Sequence, residues 1–151
     1  MNPETRFWNK LREHVKDIGG LPIKIAGGLY QQSGLPDALV ILAGNVNFIE
    51  LKAIEKLPAN PWAIVFDLRR RLTPLQRTTL ETIHRAGGRA WLGLHVHKPA
   101  STMFLPFPVF DELYRAGTIL TVGWWGTTGL ARQIAINEEA ALKTVLAGPY
   151  P

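Results

Sequence analysis

Apolar residues recur at helical spacing through residues 4 to 18, where Phe7, Trp8, Leu11, Val15 and Ile18 share one face and Lys10, Arg12, Glu13, Lys16 and Asp17 lie elsewhere on the wheel. The pattern predicts one amphipathic helix, stopped by Gly19-Gly20. Leu21 to Ala26 is a short candidate strand, and the polar, glycine-bearing stretch GGLYQQSG after it fits neither periodicity. Asp37 to Leu42 and Val46 to Lys52 are two β-rich apolar runs separated by Ala43-Gly44-Asn45, which predicts a tight hairpin. PANP (58 to 61) breaks the pattern, and Trp62 to Phe66 is another short candidate strand before the cluster Arg69-Arg70-Arg71.

Thr73 then caps a helix with Pro74 at its first position, running through LQRTTLETIHRA to Gly87-Gly88. Arg89 to Val96 reads as a strand entering the core. In the last third, PVFDELYRAG suggests a short helix, TILTVGWW a strand or buried loop, and Asn137 to Ala147 a helix with Asn137 as its cap. There is no internal repeat, low-complexity tract or linker, and the order of elements is mixed α/β.

Composition narrows the possibilities. The 151 residues suit a single domain, and 46% hydrophobic with 19% charged residues are globular proportions. No stretch is apolar for the roughly 18 residues a membrane helix needs, so no membrane partner is expected. The N-terminus is charged from its fourth residue and lacks the apolar run of a signal peptide, which leads us to expect a cytoplasmic protein. Without cysteine there are no disulfides, thiolate zinc sites or cysteine nucleophiles. A formal charge of +5 favours a polyanionic partner such as nucleic acid.

The hairpin carries the chemistry. With a two-residue turn at Gly44-Asn45, Asp37 falls opposite Lys52 and Leu39 opposite Glu50, and opposed residues share a face. Side chains alternate with period two, so Glu50 and Lys52 point the same way and Asp37, Glu50 and Lys52 converge. A three-residue loop or a bulge would change that parity. Two carboxylates and a lysine at the end of apolar strands are costly to bury unless the charges pair or a metal binds. Hard oxygen ligands of this kind suit Mg²⁺, with Mn²⁺ as a substitute, and a nearby lysine suits phosphodiester hydrolysis. A bare E-x-K is also compatible with an exposed ion pair on an edge strand.

The longer string SGLPDALVILAGNVNFIELKA resembles the PD-(D/E)XK nuclease superfamily, with Pro36-Asp37 as the first half of the motif and Glu50-Leu51-Lys52 as the second. The glycine two residues before Pro36, the hairpin, and the later L-T-P-L-Q helix followed by Gly87-Gly88 and a strand resemble the virus-type replication-repair nuclease (VRR-NUC) branch and related phage nucleases. The resemblance covers residues from about 4 to 96. From Pro99 onward it finds no counterpart, so a nuclease core with a C-terminal extension (about 99 to 151) is expected within one domain. It implies a restriction-endonuclease-like core, a mixed central β-sheet flanked by helices. It also implies a metal site in which Asp37 and Glu50 bind the ion, the carbonyl of Leu51 adds a ligand, and Lys52 activates water.

In that superfamily a glutamate on the first helix commonly completes the site, and Glu4 and Glu13 are both available. At 100° per residue the apolar face falls within about 60° of Glu4, whereas Glu13 lies about 180° away, which selects Glu4. Gln76 stands where the virus-type branch carries a glutamine, which implies a hydrogen bond to a catalytic carboxylate or a phosphate. Lys24, Tyr30, Gln31, Gln32, Ser33, Lys56, Arg69, Arg70, Arg71 and Arg77 offer a path for DNA phosphates.

The expected function is therefore a metal-dependent DNA endonuclease of a bacterial or phage-infected cell. Some small relatives resolve Holliday junctions as dimers, which makes branched DNA and a homodimer the leading expectation. Flap, nick or duplex cleavage, or a DNA-binding protein without catalysis, are the alternatives. His84, His95 and His97 lack the further ligands of a zinc site and are expected in surface or strand-end roles. GWWGTTG lacks the lysine of a phosphate loop, leaving Trp124 and Trp125 to the core or an oligomer contact.

Overall fold

The computed structural model describes residues 1–25, 32–127, 132–134 and 139–151. Helix α1 (Pro3–Asp17) starts at Asn2, whose side chain accepts a hydrogen bond from the Thr5 amide at 2.8 Å. Proline occupies the first turn, where an amide would have no helical partner. Phe7, Trp8, Leu11 and Val15 are buried, the stripe predicted from their spacing.

Six strands form the main sheet in the order β1-β2-β3-β5-β6-β8. They are β1 (Leu21–Lys24), β2 (Ala38–Leu42), β3 (Asn45–Lys56), β5 (Arg89–Lys98), β6 (Ser101–Pro106) and β8 (Arg132–Ile134). Among the described residues only β3 and β5 pair in parallel, and the connection between them contains β4 (Ile64–Asp67), α2 (Leu68–Arg71) and α3 (Pro74–Arg85). A parallel pair needs such a crossover, and here its helix packs on β5. β4 pairs with β7 (Ile119–Thr121) in a small second sheet. Helices α4 (Phe107–Ala116), α5 (Val122–Thr127) and α6 (Glu139–Ala147) complete the chain. The mixed sheet flanked by helices is the α/β architecture expected from the sequence. Among the described residues no helix is long and apolar enough to cross a membrane.

Each face of the sheet has its own core. One joins Phe7, Leu11 and Val15 of α1 to Val40, Ile49 and Leu51, and then to Leu142 and Leu146 of α6. The other joins Leu80 of α3 and Phe110 of α4 to Leu92, Leu94, Val96 and Leu105. With both faces covered, β5 is buried from Ala90 to His97 and reads as a continuous apolar run. Strand β6 shows the same continuous burial, and without alternation its residues gave no strand signal. TILTVGWW is divided between β7 and the short helix α5, with Trp125 in the core. The expected cap at Asn137 lies outside the described residues. The sequence leads us to expect a surface or strand-end role for His95 and His97: neither is at the surface, because both lie under α1 at 0% and 8% exposure, and only His97 stands near the end of β5.

The hairpin turn is Ala43-Gly44, not Gly44-Asn45. Both residues have positive φ, 50° and 79°, the pair a type I′ turn requires. Asn45 instead opens β3, where its amide nitrogen donates to Leu42 O at 3.4 Å and Ala147 O at 3.3 Å. The register is Ala38 to Ile49 through Leu42 to Asn45. Asp37, one step beyond Ala38, therefore faces Glu50 and not Lys52. A shift of two keeps parity, so Asp37, Glu50 and Lys52 still share a face.

Asn47 ties four elements together from a fully buried position. Its Nδ2 donates to Val40 O (3.2 Å) and Leu146 O (2.9 Å), and its Oδ1 accepts from Arg89 Nε (2.8 Å) and Trp91 Nε1 (2.9 Å). Replacing Asn47 with alanine leaves buried donors and acceptors without partners, and is expected to cost about 3 kcal/mol, read as a drop in the urea midpoint at unchanged m-value.

Candidate active site

The segment entering β2, strand β3 and the first turns of α3 and α1 build the site. Ahead of β2, Gly34 has φ +84°, and a Cβ there would come within 2.5 Å of the Leu75 side chain. Glycine thus lets the loop press against the first turn of α3 just before it delivers Asp37. The Asp37 carbonyl accepts from the Ile25 amide at 2.9 Å, and its carboxylate Oδ2 accepts from the Leu51 amide at 2.8 Å. The first bond ties the Asp37 backbone to the chain leaving β1, and the second fixes the carboxylate against β3.

Glu50 is 1% exposed. Its Oε1 accepts from Lys52 Nζ at 2.8 Å and from Gln76 Nε2 at 2.6 Å, while Oε2 is buried with no hydrogen-bond partner among the described residues. Burial pushes the Glu50 carboxyl up to about 7, with Asp37 next as a repelling charge and a smaller contribution from Glu4, against the opposing pull of Lys52. Lys52 is itself nearly buried, at 9% exposure.

Gln76 is aimed by the end of its own helix. Thr73 Oγ1 accepts from the Gln76 amide at 3.1 Å, and Gln76 Oε1 accepts from the Thr73 amide at 3.0 Å, closing a capping box. The remaining Nε2 then points at Glu50. Sequence reasoning placed Gln76 near a carboxylate by resemblance alone. The T-x-x-Q spacing that orients it is a signal readable in the sequence.

Glu4 is half-buried in the first turn of α1 and within electrostatic reach of Glu50. It lines a cleft of about 450 Å³ with Asn2, Pro3, Ala53, Ile54, Glu55 and Arg71. Glu13 lies on the solvent side, bonded to Arg12 at 3.0 Å. The helix-wheel separation of these two glutamates is thus reproduced.

The basic residues divide. Arg71 borders the Glu4 cleft, donates to Ala53 O at 3.0 Å and lies over the Phe66 ring. Arg70, Lys56 and Lys24 are exposed, Lys24 with its ammonium 5.6 Å from the Trp8 ring centre. Arg69 is held by Tyr114 O (2.9 Å) and Arg115 O (2.7 Å), at the end of α4. Arg77 is engaged inside the fold, donating to Asp111 at 2.7 Å and Glu81 at 3.3 Å, and is not brought to the site. Gln32 and Ser33 are exposed, whereas Tyr30 and Gln31 lie outside the described residues.

The donor set fits a hard divalent cation. Glu50 has a buried carboxylate oxygen without a partner among the described residues, and Asp37 adds a repelling charge; a cation relieves both costs. Among the described residues no three His, Asp or Glu side chains lie together so as to hold a metal ion. Two carboxylates with the other positions left to water and substrate oxygens are the arrangement typical of Mg²⁺.

No family model matches the chain, and no curated protein matches it. Among solved structures it is similar to the Holliday junction resolvase Hjc of Archaeoglobus fulgidus, an archaeal hyperthermophile. The two share 24% identity at a TM-score of 0.50, over 69% of this chain and 77% of that one. A structure described as a VRR_NUC domain matches with 21% identity and a TM-score of 0.43, over 74% of this chain and 94% of that one. The fold is therefore the restriction-endonuclease-like fold of the resolvase.

Because the folded state binds the Glu50 proton more tightly than the unfolded chain, the stability this group confers is complete below about pH 4.5 and lost as pH rises through about 7. Glu50→Gln, which cannot ionise, is expected to match the metal-free wild type near pH 4.5 and exceed it by on the order of 2 kcal/mol at pH 8. Urea denaturation of both proteins across this range checks it, and parallel pH profiles would refute the assignment.

Proposed function

We propose that the chain is a metal-dependent DNA endonuclease that hydrolyses phosphodiester bonds at Asp37, Glu50 and Lys52. The observation that carries the reading is the buried Glu50 carboxylate, with one oxygen held by Lys52 and Gln76, the other without a partner among the described residues, and Asp37 repelling its charge. Such an arrangement is costly for stability alone and suited to holding a cation.

Asp37 and Glu50 would hold Mg²⁺, or Mn²⁺ in its place, with the Leu51 carbonyl and Glu4 as further oxygen donors. When bound, the ion lowers the pKa of a coordinated water and polarises the phosphate. The chain's own residues do the rest. Gln76 fixes Glu50 Oε1, and Oε2 would be the oxygen left to hold the ion. Lys52 spends one of its three N–H donors on Glu50, and the others orient the attacking water and stabilise charge gathering on the phosphate. Hydrolysis breaks one P–O bond, hydroxide from the water adding to phosphorus and its proton passing to the leaving sugar oxygen.

DNA as substrate is supported by the net charge of +5, by the exposed Lys24, Lys56 and Arg70, and by the resolvase fold. We favour branched DNA, cut by a homodimer in the cytoplasm, because the solved structure that the chain resembles at a TM-score of 0.50 is a Holliday junction resolvase.

Four-way, flapped, nicked and linear DNA are to be incubated with the protein and Mg²⁺ or Mn²⁺. The junction is expected to be cut best, and EDTA to abolish cleavage. Asp37→Asn and Lys52→Ala are each expected to lower the rate by about 10²–10³-fold. Wild-type rates in both variants would show that the site is misassigned, and a protein that binds these DNAs but cuts none would be a binding protein. Preference for flap or linear DNA would retain the chemistry and replace the substrate. A mass measurement in solution tests the dimer.

Glu4→Gln is expected to lose about tenfold or more in rate while Glu13→Gln keeps wild-type activity. Equal losses, or a loss confined to Glu13→Gln, would remove Glu4 from the site.

A further inference from the structure

Two buried histidines take no part in the chemistry proposed above, yet both face the first turns of α1. His97 Nε2 lies 2.9 Å from the carbonyl oxygen of Pro3. A carbonyl only accepts, so Nε2 carries the proton and donates it. His95 stacks on Phe7, with centroids 4.8 Å apart and 15° between planes, and meets His97 edge-on at 4.4 Å. Its own Nδ1 is 2.8 Å from Thr102 Oγ1, which refers the pair to β6. On the other side Arg6 is ion-paired with Glu55 near the end of β3.

These contacts grip Pro3, Arg6 and Phe7, and Glu4 stands among them. The first turn of a helix lacks part of the hydrogen bonding that holds its middle, and such ends fray readily. Tertiary anchors must therefore set where Glu4 sits. The bond from His97 in β5 reaches the residue immediately before Glu4. We infer that His97, backed by His95, is a positioning residue whose hydrogen bond to Pro3 holds Glu4 toward the metal-binding carboxylates. The inference rests on the role proposed for Glu4.

The full-length protein supplies two readouts besides cleavage. In metal-free protein, His97→Ala is expected to speed exchange of the Thr5 and Arg6 amides, both bonded to Asn2, about tenfold. The amides of β5 should keep their protection, whereas general destabilisation would speed all of them and overturn the inference. Mn²⁺ titration calorimetry is then run at a temperature where every variant is folded. His97→Ala is expected to weaken binding about 10-fold, as Glu4→Gln does. The double variant should bind no worse than Glu4→Gln alone, and His97→Gln, whose amide can donate to the same carbonyl, should retain affinity. Wild-type binding by His97→Ala, or additive losses in the double variant, overturns the inference. If Glu4→Gln binds normally while Asp37→Asn does not, the positioning role falls and the metal site stands. If Asp37→Asn and Glu50→Gln also bind normally, the nuclease reading falls with it.

Discussion

Register between β2 and β3 is the constraint on which the site depends. The Ala43-Gly44 turn pairs Leu42 with Asn45, and every later pair follows to Ala38 with Ile49. Asp37 then faces Glu50, and two residues further on Lys52 returns to the same face. A slip of one residue would send the carboxylates to opposite faces and turn Ile49 and Leu51 out of the α1 core. One turn thus decides the packing of a core and the assembly of the charged cluster together.

The remaining structure makes that cluster tolerable. Glu50 sits between the sheet and α3 at 1% exposure, where an unpaired carboxylate would be strongly disfavoured. Lys52 supplies charge and Gln76 a neutral donor, both to the same oxygen. The second oxygen remains unpartnered among the described residues, and Asp37 adds repulsion. A half-satisfied polar group is poor design for stability alone. It is the kind of local conflict with packing that marks functional sites, and the two apolar cores flanking the sheet offset its cost.

Around this centre the secondary structure converges from both sides of the sheet. Helix α3 brings Gln76 through its capping box, and Gly34 lets the loop before β2 lie against Leu75 of the same turn. Helix α1 brings Glu4 from the other side, fastened through Pro3, Arg6 and Phe7 to the ends of β3 and β5. Cations of the same sequence neighbourhood have different fates. Arg71 opens on the Glu4 cleft, Arg70 on solvent, Arg69 caps α4, and Arg77 is consumed by Asp111 and Glu81.

What the sequence determined by itself was local. Helical spacing located α1, Thr73-Pro74 located α3, and alternation in the hairpin put Asp37, Glu50 and Lys52 on one face, since each depends only on backbone periodicity. The same 100° rotation separated Glu4 from Glu13. Tertiary structure decided whatever depends on contacts distant in the chain. The turn moved by one residue because Asn45 finds Ala147, more than a hundred residues away, when it stands in β3. His95 and His97 are polar yet buried, because α1 covers β5 and offers Phe7 and the Pro3 carbonyl as partners. Strand β6 lacks a period because both of its faces are covered. The pairing of Arg77 depends on α4, which no local pattern connects to α3. Periodicity in a chain records which side of an element is apolar, whereas the partner that meets that side is fixed only when the elements pack.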